Sequence, residues 1–177
     1  MTTTLDGWWF ARRDEEGEVR LPHGDGRIVR VGETLSVPGG IVLCRHGLHA
    51  SAYARDALAY APGPILCRVQ LSGQIVRGDD KAAASERTTL AMVDATRTLR
   101  LFAAAVAYSA LFVERHFGRE PDSRSWAAVD TLCRHVAGAA TDAELSAAWS
   151  AAESAAWSVH RDMLERMCLA AIGGESL

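Results

Sequence analysis

The sequence predicts an α+β protein, with a small, mostly antiparallel sheet in residues 1–78 packed against three helices in residues 79–177. Short apolar runs separated by glycine and proline turns fill the first part of the chain, and such runs are typical of strands. After residue 78 the apolar residues recur at three- and four-residue steps, which favours helices. The two parts are expected to form one compact unit, because 177 residues suffice for one full core.

The strands are predicted from aromatic and β-branched runs bounded by turn residues. Cys67, Val69 and Leu71 alternate with polar residues, so these three are expected to share the buried face of a strand. The predicted strands are Gly7–Ala11, Ile28–Val31, Thr34–Val37, Ile41–Cys44, Ile65–Leu71 and Gly73–Gly78.

The helices are predicted from apolar periodicity and from capping residues. A short helix over residues 52–61 follows Ser51, and a long helix begins at Asp79 or Asp80 and becomes apolar on every side, which is typical of a buried central helix. A third covers about 124–137, between Asp122 and Gly138. The capping box Thr141–Glu144 opens the last helix, which is expected to run to about residue 172.

Composition and charge exclude several classes of function. A net charge of −3 gives no general attraction for nucleic acid. The longest apolar run, residues 101–113, is shorter than the roughly 20 residues that a helix needs to cross a bilayer, so no membrane association is expected. The first residues carry no signal-peptide pattern, which predicts a cytoplasmic location. The four cysteines contain no Cys-x-x-Cys pair and are expected to be small buried residues.

Residues 44–60 concentrate more reactive and ligand-binding side chains than any other stretch. At a junction of strand and helix, His49 is expected to be a donor or general acid and Ser51 a hydroxyl donor. Tyr53 or Tyr60 is expected to stack on a base or a nicotinamide ring. Backbone N–H groups at such a junction also favour an anion such as pyrophosphate. The alternative is that Ser51 caps the helix, the tyrosines pack, and His49 orders the turn.

A metal site is another interpretation of the same stretch. Cys44, His46 and His49, with Cys67 from a neighbouring strand, are the ligand types that zinc prefers. However, Cys-x-His-x-x-His does not correspond to an established zinc knuckle, and Cys67 is accounted for by the core. No metal site is therefore predicted, and His46 is assigned to binding a cofactor.

A further polar group follows at Asp79-Asp80-Lys81, with Glu86 and Arg87 beyond it. Paired aspartates suit a metal or a general base, but they are also typical caps of a helix start, and the cap is the preferred interpretation. Lys81 and Arg87 are expected to face the cleft and to bind a cofactor there.

Four motifs follow one another along the chain: Cys44-x-x-Gly47-Leu48-His49-Ala50-Ser51, Asp56-Ala57-Leu58-x-Tyr60, Val69-x-Leu71-x-Gly73 and Asp79-Asp80-Lys81. This string resembles a family of domains of unknown function that is frequent in bacteriophage and actinobacterial genomes. The resemblance covers roughly residues 7–105. It implies a phage-related domain and no particular activity.

An apolar-His49-x-Ser51 element, a short alanine-rich helix and an apolar strand ending near Gly73 also resemble the middle of the ADP-ribosyltransferase fold, including the RNA 2′-phosphotransferase branch. This resemblance implies that His49, Ser51 and Tyr60 contact NAD. Enzymes of that fold generally place a further key residue, often a glutamate, on a later strand. Glu86 is expected on a helix, which departs from that pattern.

The predicted function is ligand binding, linked to NAD or another nucleotide, in a cleft at residues 44–60. If the protein is an enzyme, an ADP-ribosyltransferase-like transferase is expected. The alternative is a non-enzymatic, phage-type interaction protein whose Ala- and Trp-rich helices, residues 124–172, bind a protein partner or a second copy. The candidate residues are His49, Ser51 and Tyr60 for catalysis, His46, Tyr53, Lys81 and Arg87 for the cofactor, and Trp126, Trp149 and Trp157 for the partner surface.

Overall fold

The structure is a computed structural model that describes residues 4–22 and 26–152. The chain divides between Thr96 and Arg97 into two compact units, unit 1 before this point and unit 2 after it. Strands and one short helix make up unit 1, and helices make up the described part of unit 2. The predicted α+β class is confirmed, with an antiparallel sheet in the N-terminal half and helices in the C-terminal half.

Unit 1 is built on one sheet whose strand pairs are all antiparallel. Its elements are β1 (Leu5–Ala11), β2 (Thr34–Ser36), β3 (Leu48–Ala50), α1 (Ala54–Leu58), β4 (Ile65–Arg77) and β5 (Ala82–Asp94). The two long strands, β4 and β5, pair with each other, and β1 pairs with the free side of β4. The other side of β5 pairs with β2 and β3 at two different segments, so β5 is the central strand.

The sheet closes on itself through one backbone pair between β1 and the residue after β3. The Trp8 N–H donates to the Ser51 carbonyl at 2.8 Å, and the Ser51 N–H donates to the Trp8 carbonyl at 3.0 Å. Gly7 allows this approach, since a Cβ there would lie 2.9 Å from the Ala50 Cβ and 3.0 Å from the Ser51 carbonyl oxygen. β1 therefore has β4 on one side and the end of β3 on the other.

One hydrophobic cluster holds the strands of unit 1 together. Cys67, Val69 and Leu71 have no exposed surface, as their alternation predicts, because every second side chain of a strand lies on the same face. Full burial of a valine or leucine side chain stabilises a fold by about 1.5–3 kcal/mol. The other buried members are Ala11, Val19, Leu21, Val29, Leu48, Ala50, Ile65, Ala82 and Ala84.

Unit 2 is helical in its described part. Its helices are α2 (Thr96–His116), α3 (Ser123–Val136) and the helical residues 142–152. Ala104 of α2 packs with Val129 and Leu132 of α3 in a small buried cluster, and Leu145 packs against it.

The helix ends in unit 2 follow the predicted capping pattern. The Asp122 carboxylate accepts a hydrogen bond from the Arg124 N–H at the start of α3. Before the next helical segment, the Glu144 N–H donates to Thr141 Oγ1 and the Thr141 N–H donates to Glu144 Oε2, which is the predicted capping box. The remainder of the helix predicted to residue 172, including Trp157, lies outside the described residues.

The helix predicted to begin at Asp79 or Asp80 was wrong, because Ala82–Asp94 is strand β5. Its first alanines favour helices in isolation, but here they pair with β3 and β4, and this tertiary pairing outweighs the local preference. β4 also joins two predicted strands through a bulge at Gly73, which has φ +71°. The division of the chain into two units therefore follows β5, between Thr96 and Arg97.

Two elements near the candidate site also differ from the prediction. Ile41–Cys44 is not a strand, because residues 43–45 form a turn and the strand comes later, as β3. α1 is shorter than the helix predicted over residues 52–61. Tyr53 occupies its N-cap position without a side-chain hydrogen bond, so the interpretation of Ser51 as a helix cap was wrong.

Within the described part of the chain, α2 is more exposed than its all-round apolar sequence predicts. Phe102 is 53% exposed, Val106 53% and Phe112 57%. By length and composition alone, α2 is long and apolar enough to cross a membrane. The core helices of soluble proteins can meet the same criteria, so this is weak evidence for a membrane span. The expected lack of membrane association stays a prediction. Further exposed apolar side chains of this helix and the residue that follows it are Leu101, Tyr108, Val113 and Phe117.

Gly7→Ala is expected to destabilise unit 1 by about 1–3 kcal/mol, the usual cost of forcing an added methyl group into a packed site. Its Cβ would collide with Ala50 and the Ser51 backbone, so hydrogen exchange measured by mass spectrometry should accelerate in peptides that cover β1 and β3. Gly40→Ala is the matched control, because nothing lies within 4 Å of its Cβ position. Equal exchange in the two variants would contradict the role assigned to Gly7.

Candidate functional site

A two-part cleft in unit 1 collects most of the residues that the sequence singles out. Two hollows, of about 400 and 320 Å³, share Trp9, Pro22, Cys44 and His49 in their walls. We name them the Arg87 arm and the Tyr60 arm. The Arg87 arm is completed by Leu21, Arg27, Val37, Pro38, Arg45, His46, Gly47, Leu48 and Arg87, and the Tyr60 arm by Trp8, Phe10, Ala50, Ser51, Ala57, Tyr60 and Lys81.

The closure of the sheet brings these residues together. Trp8 pairs through its backbone with Ser51, directly beyond β3. His49 of β3 lies opposite Ala83 of β5, which places the His49 strand beside the strand that carries Arg87. Strand pairing therefore places Trp9, His49 and Arg87 together, and segments between the strands complete the Arg87 arm.

Arg87 is a buried cation in the wall of the cleft, only 2% exposed. Its Nη1 donates to the His49 carbonyl at 2.9 Å, and its guanidinium lies over the Trp9 ring, 3.8 Å from the ring centroid. Nε and Nη2 are buried and have no hydrogen-bond partner. Burial lowers the pKa of Arg87 to about 10, so the side chain is still a cation at neutral pH.

Tyr60, Asp80 and Lys81 form the polar end of the Tyr60 arm. The Tyr60 hydroxyl donates to the Asp80 carboxylate, and the Lys81 ammonium lies over the Tyr60 ring, 3.7 Å from its centroid. Partial burial lowers the pKa of Lys81, but hydrogen bonds with Tyr60 and Cys44 outweigh this effect and raise the pKa above its usual value. Asp80 therefore orients a cleft residue and does not cap a helix.

The imidazole of His49 is held by the backbone of the preceding turn. The Cys44 N–H donates to His49 Nε2 at 3.1 Å, so Nε2 is the acceptor and the proton of the neutral ring is on Nδ1. Cys44 adopts φ +65°, an uncommon conformation for a residue other than glycine. A role for Nε2 of His49 as a general acid would require this hydrogen bond to break.

The other predicted site residues lie in different environments. Ser51 is buried, and its backbone closes the sheet. His46 lies in the Arg87 arm, with Nε2 2.7 Å from the Pro38 carbonyl oxygen. Tyr53 is 70% exposed and lines neither arm. The Tyr60 arm thus brings together His49, Ser51, Tyr60 and Lys81, and the Arg87 arm His46, His49 and Arg87.

Sequence reasoning assigned no site role to Trp8, Trp9, Arg27 or Arg45. The two tryptophans are adjacent and follow Gly7. A glycine within a strand often indicates a place where another backbone approaches closely, and this signal could have identified Trp8 and Trp9 as site residues. The two arginines lie in segments outside the strands, whose position beside β5 is set by tertiary contacts. No local pattern identifies them.

Glu86 lies on β5 and not on the expected helix, so a glutamate does occur on a later strand. Its carboxylate accepts a hydrogen bond from the Ser72 hydroxyl at 2.8 Å. Because neighbouring residues of a strand point to opposite faces, Glu86 faces away from Arg87. Among the described residues, no group of three or more His, Cys, Asp or Glu side chains is placed to hold a metal ion.

The cysteines divide into two environments. Cys67 is completely buried, and this burial raises the pKa of its thiol to about 11. Cys44 and Cys133 are exposed, so the expectation of buried cysteines was wrong for these two. Cys168 lies outside the described residues.

Comparison with known families gives a match over part of the chain. Residues 25–101 match the model of a family described as Domain of unknown function (DUF7666). The matched segment contains β2 to β5 and therefore carries Tyr60, Lys81 and Arg87. No curated protein and no solved structure matches the chain. The match supports the expected resemblance to an uncharacterised domain family, while the phage and actinobacterial distribution, the motif string and the ADP-ribosyltransferase likeness stay predictions.

Iodoacetamide is expected to modify Cys44 and Cys133 but not Cys67 in the folded protein. At a pH of about 8, a thiol of pKa about 11 is ionised in only about one molecule in a thousand, and the thiolate is the nucleophile. Peptide mass spectrometry would quantify each site, and guanidinium chloride should make Cys67 react. Modification of Cys67 at the rate of Cys44 without denaturant would contradict its burial.

Proposed function

We propose that unit 1 binds a small anionic molecule of the nucleotide class in the two-part cleft, with NAD as the candidate cofactor. The observation that carries the proposal is that the Tyr60 arm joins aromatic rings to a cation, beside a second arm that is also cationic. A ligand with a planar ring and a negatively charged group matches this combination.

The aromatic side chains supply surfaces for the planar part of such a ligand. Trp8, Trp9 and Tyr60 all line the Tyr60 arm, and Tyr60 is 52% exposed. Stacking of a base on an aromatic side chain contributes about 1–3 kcal/mol and tolerates different bases. The ring position is therefore expected to select for planarity more than for one particular base.

The charges of the cleft supply the attraction for the anionic part. Its described lining residues include the basic residues Arg27, Arg45, Lys81 and Arg87 and no aspartate or glutamate. The nearby Asp80 carboxylate accepts the hydrogen bond of the Tyr60 hydroxyl and lies beside the Tyr60 arm, outside its lining. A concave site lined by one sign of charge concentrates ligands of the opposite sign. Arms of about 400 and 320 Å³ are also within the range of small-molecule sites.

The proposal is for binding, with His49, Ser51 and Tyr60 as ligand contacts. An ADP-ribosyltransferase-like reaction would need a carboxylate at the reacting ring, whereas Glu86 bonds to Ser72 and Asp80 bonds to Tyr60. Transfer chemistry would therefore require a rearrangement of one of these carboxylates. A cytoplasmic location and a phage-related origin stay predictions.

NAD, ADP-ribose or AMP is expected to raise the melting temperature of the full chain, because a ligand at 100 times its Kd stabilises the folded state by about 2.7 kcal/mol. Tyr60→Leu should weaken this binding about tenfold by removing a stacking surface, whereas Tyr60→Phe should retain it. Differential scanning fluorimetry followed by calorimetric titration would measure both effects.

Tyr53→Leu is the matched control for this experiment, since Tyr53 is exposed, lies close in sequence and lines neither arm. It is expected to bind as the wild type does. The proposal would be overturned if no nucleotide in the panel shifted the melting temperature, or if Tyr53→Leu and Tyr60→Leu behaved alike.

Self-association through unit 2 is a second candidate function. The observation that favours it is the apolar surface that α2 exposes among the described residues, where Phe102, Val106, Phe112 and Val113 are each about half exposed. Monomeric proteins rarely leave a continuous apolar surface of this kind uncovered. A second copy of α2 has the complementary apolar chemistry, as expected for a symmetric interface.

In the self-association proposal, Val106→Glu should convert a dimer into a monomer, because a carboxylate would be buried without a partner. Ala127→Glu adds the same charge at an exposed position of α3 and serves as the control. Sedimentation velocity of the full chain would give the oligomeric state. A wild-type monomer at high protein concentration would refute the proposal, and co-flotation of that monomer with lipid vesicles would indicate membrane binding instead.

A further inference from the structure

We infer that the Nε and Nη2 edge of Arg87 is a subsite for an oxyanion of the ligand, a carboxylate or phosphate group that offers two oxygens side by side. The inference rests on the proposed function, because it names the group that the ligand presents to the Arg87 arm. It is drawn from the positions of the three guanidinium nitrogens and of the groups around them.

The hydrogen bonds of Arg87 leave one edge of the guanidinium unused. Nη1 donates to the His49 carbonyl at 2.9 Å, whereas Nε and Nη2 have no partner. Nε and Nη2 each direct one N–H along the same side of the planar group, in parallel. This pair of donors matches the spacing of two oxygens in a carboxylate or a phosphate, which guanidinium groups bind in a bidentate manner.

The stacking of Arg87 on Trp9 is compatible with such a contact. The ring lies against the face of the guanidinium, 3.8 Å from ring centroid to Cζ. Hydrogen bonds of the guanidinium lie in its own plane, so the ring compensates part of the charge but cannot accept the in-plane N–H groups. The stacked arrangement therefore holds the donor edge in a fixed orientation.

The two unpaired N–H donors of Arg87 lower the stability of the unliganded protein. A buried donor without an acceptor destabilises a fold, and a charged donor does so more strongly than a neutral one. Cys67 interacts electrostatically with Arg87, but burial raises the pKa of its thiol to about 11, so the thiol is neutral at neutral pH and provides no counter-charge. Among the described lining residues no carboxylate is available either. An oxyanion would satisfy both donors and neutralise the charge.

The rest of the Arg87 arm favours an anion over a neutral acceptor. Arg45 also lines this arm, so a second basic residue borders the same hollow. Because Nε and Nη2 have no contact with solvent, the oxyanion must displace part of the wall as it enters. Binding is therefore expected to change the hydrogen exchange of the wall segments, which include residues 44–47.

The first test follows the wild-type full chain by nitrogen-15 NMR. Inorganic phosphate and malonate are titrated separately, and the Arg87 Nε–H resonance, assigned by its loss in Arg87→Lys, is expected to shift with at least one of them. A response to phosphate alone or to malonate alone identifies which oxyanion the subsite takes. Absence of any shift with both probes would overturn the inference.

The second test compares variants by melting temperature and calorimetric titration with the same probes. Arg87→Lys keeps the charge but loses the bidentate edge, so at least about tenfold weaker binding is expected. Arg87→Met should not respond. Arg68→Met is the matched control, because Arg68 also stacks on a tryptophan, Trp8 at 4.8 Å, but does not line the cleft. A wild-type response in Arg87→Met would refute the subsite.

The outcomes separate this inference from the proposed function. Phosphate binding that depends on Arg87, in a protein that no nucleotide stabilises, would support the subsite and reject the nucleotide. Nucleotide binding that is equally tight in the wild type, Arg87→Lys and Arg87→Met would support the proposed function and reject the subsite. The NMR titration uses the wild type for its readout and Arg87→Lys only for the assignment, so misfolding of Arg87→Met would not leave the question open.

Discussion

The backbone pair between Trp8 and Ser51 is the constraint on which the rest of unit 1 depends. It joins the first strand to the residue that follows β3 and so closes a sheet that would otherwise end at β1. Trp8 and Trp9 of β1 and His49 of β3 line one cleft as a result. Gly7 is required at the crossing because no Cβ fits there. The structural role of Ser51 is therefore carried by its backbone, which pairs with Trp8.

Arg87 lowers the stability of the unliganded fold, whereas in the proposed site it binds the ligand. A buried guanidinium with two unpaired donors destabilises the unliganded fold, and stacking on Trp9 offsets only part of this. A methionine would fill the same volume without the charge, as in proteins where a buried ionic group is replaced at no loss of stability. The position of this arginine on the central strand is therefore easier to understand as a requirement of ligand binding than as a requirement of folding.

The sequence predicts those elements whose signals are local. The capping box at Thr141 and the alternation around Val69 are decided by nearest neighbours, and both are confirmed. β5 was missed because its opening alanines and the aspartates before it favour a helix. Pairing with β4 makes this segment a strand, and the local sequence does not encode that pairing. The same error placed Arg87 on a helix, so its burial could not be foreseen even though it was assigned to the cleft.

The two arms differ in how firmly the fold holds them. Arg87 lies on a strand paired on both sides, with Leu71 of β4 and Leu35 of β2 as its register partners, so its donors have little freedom. Tyr60 follows α1, a helix of five residues without a side-chain cap, and is half exposed. Short helices without caps gain little stability of their own. In the proposed site, the Arg87 arm therefore selects ligands strictly by their charge, while Tyr60 in the other arm adapts its position to the ligand.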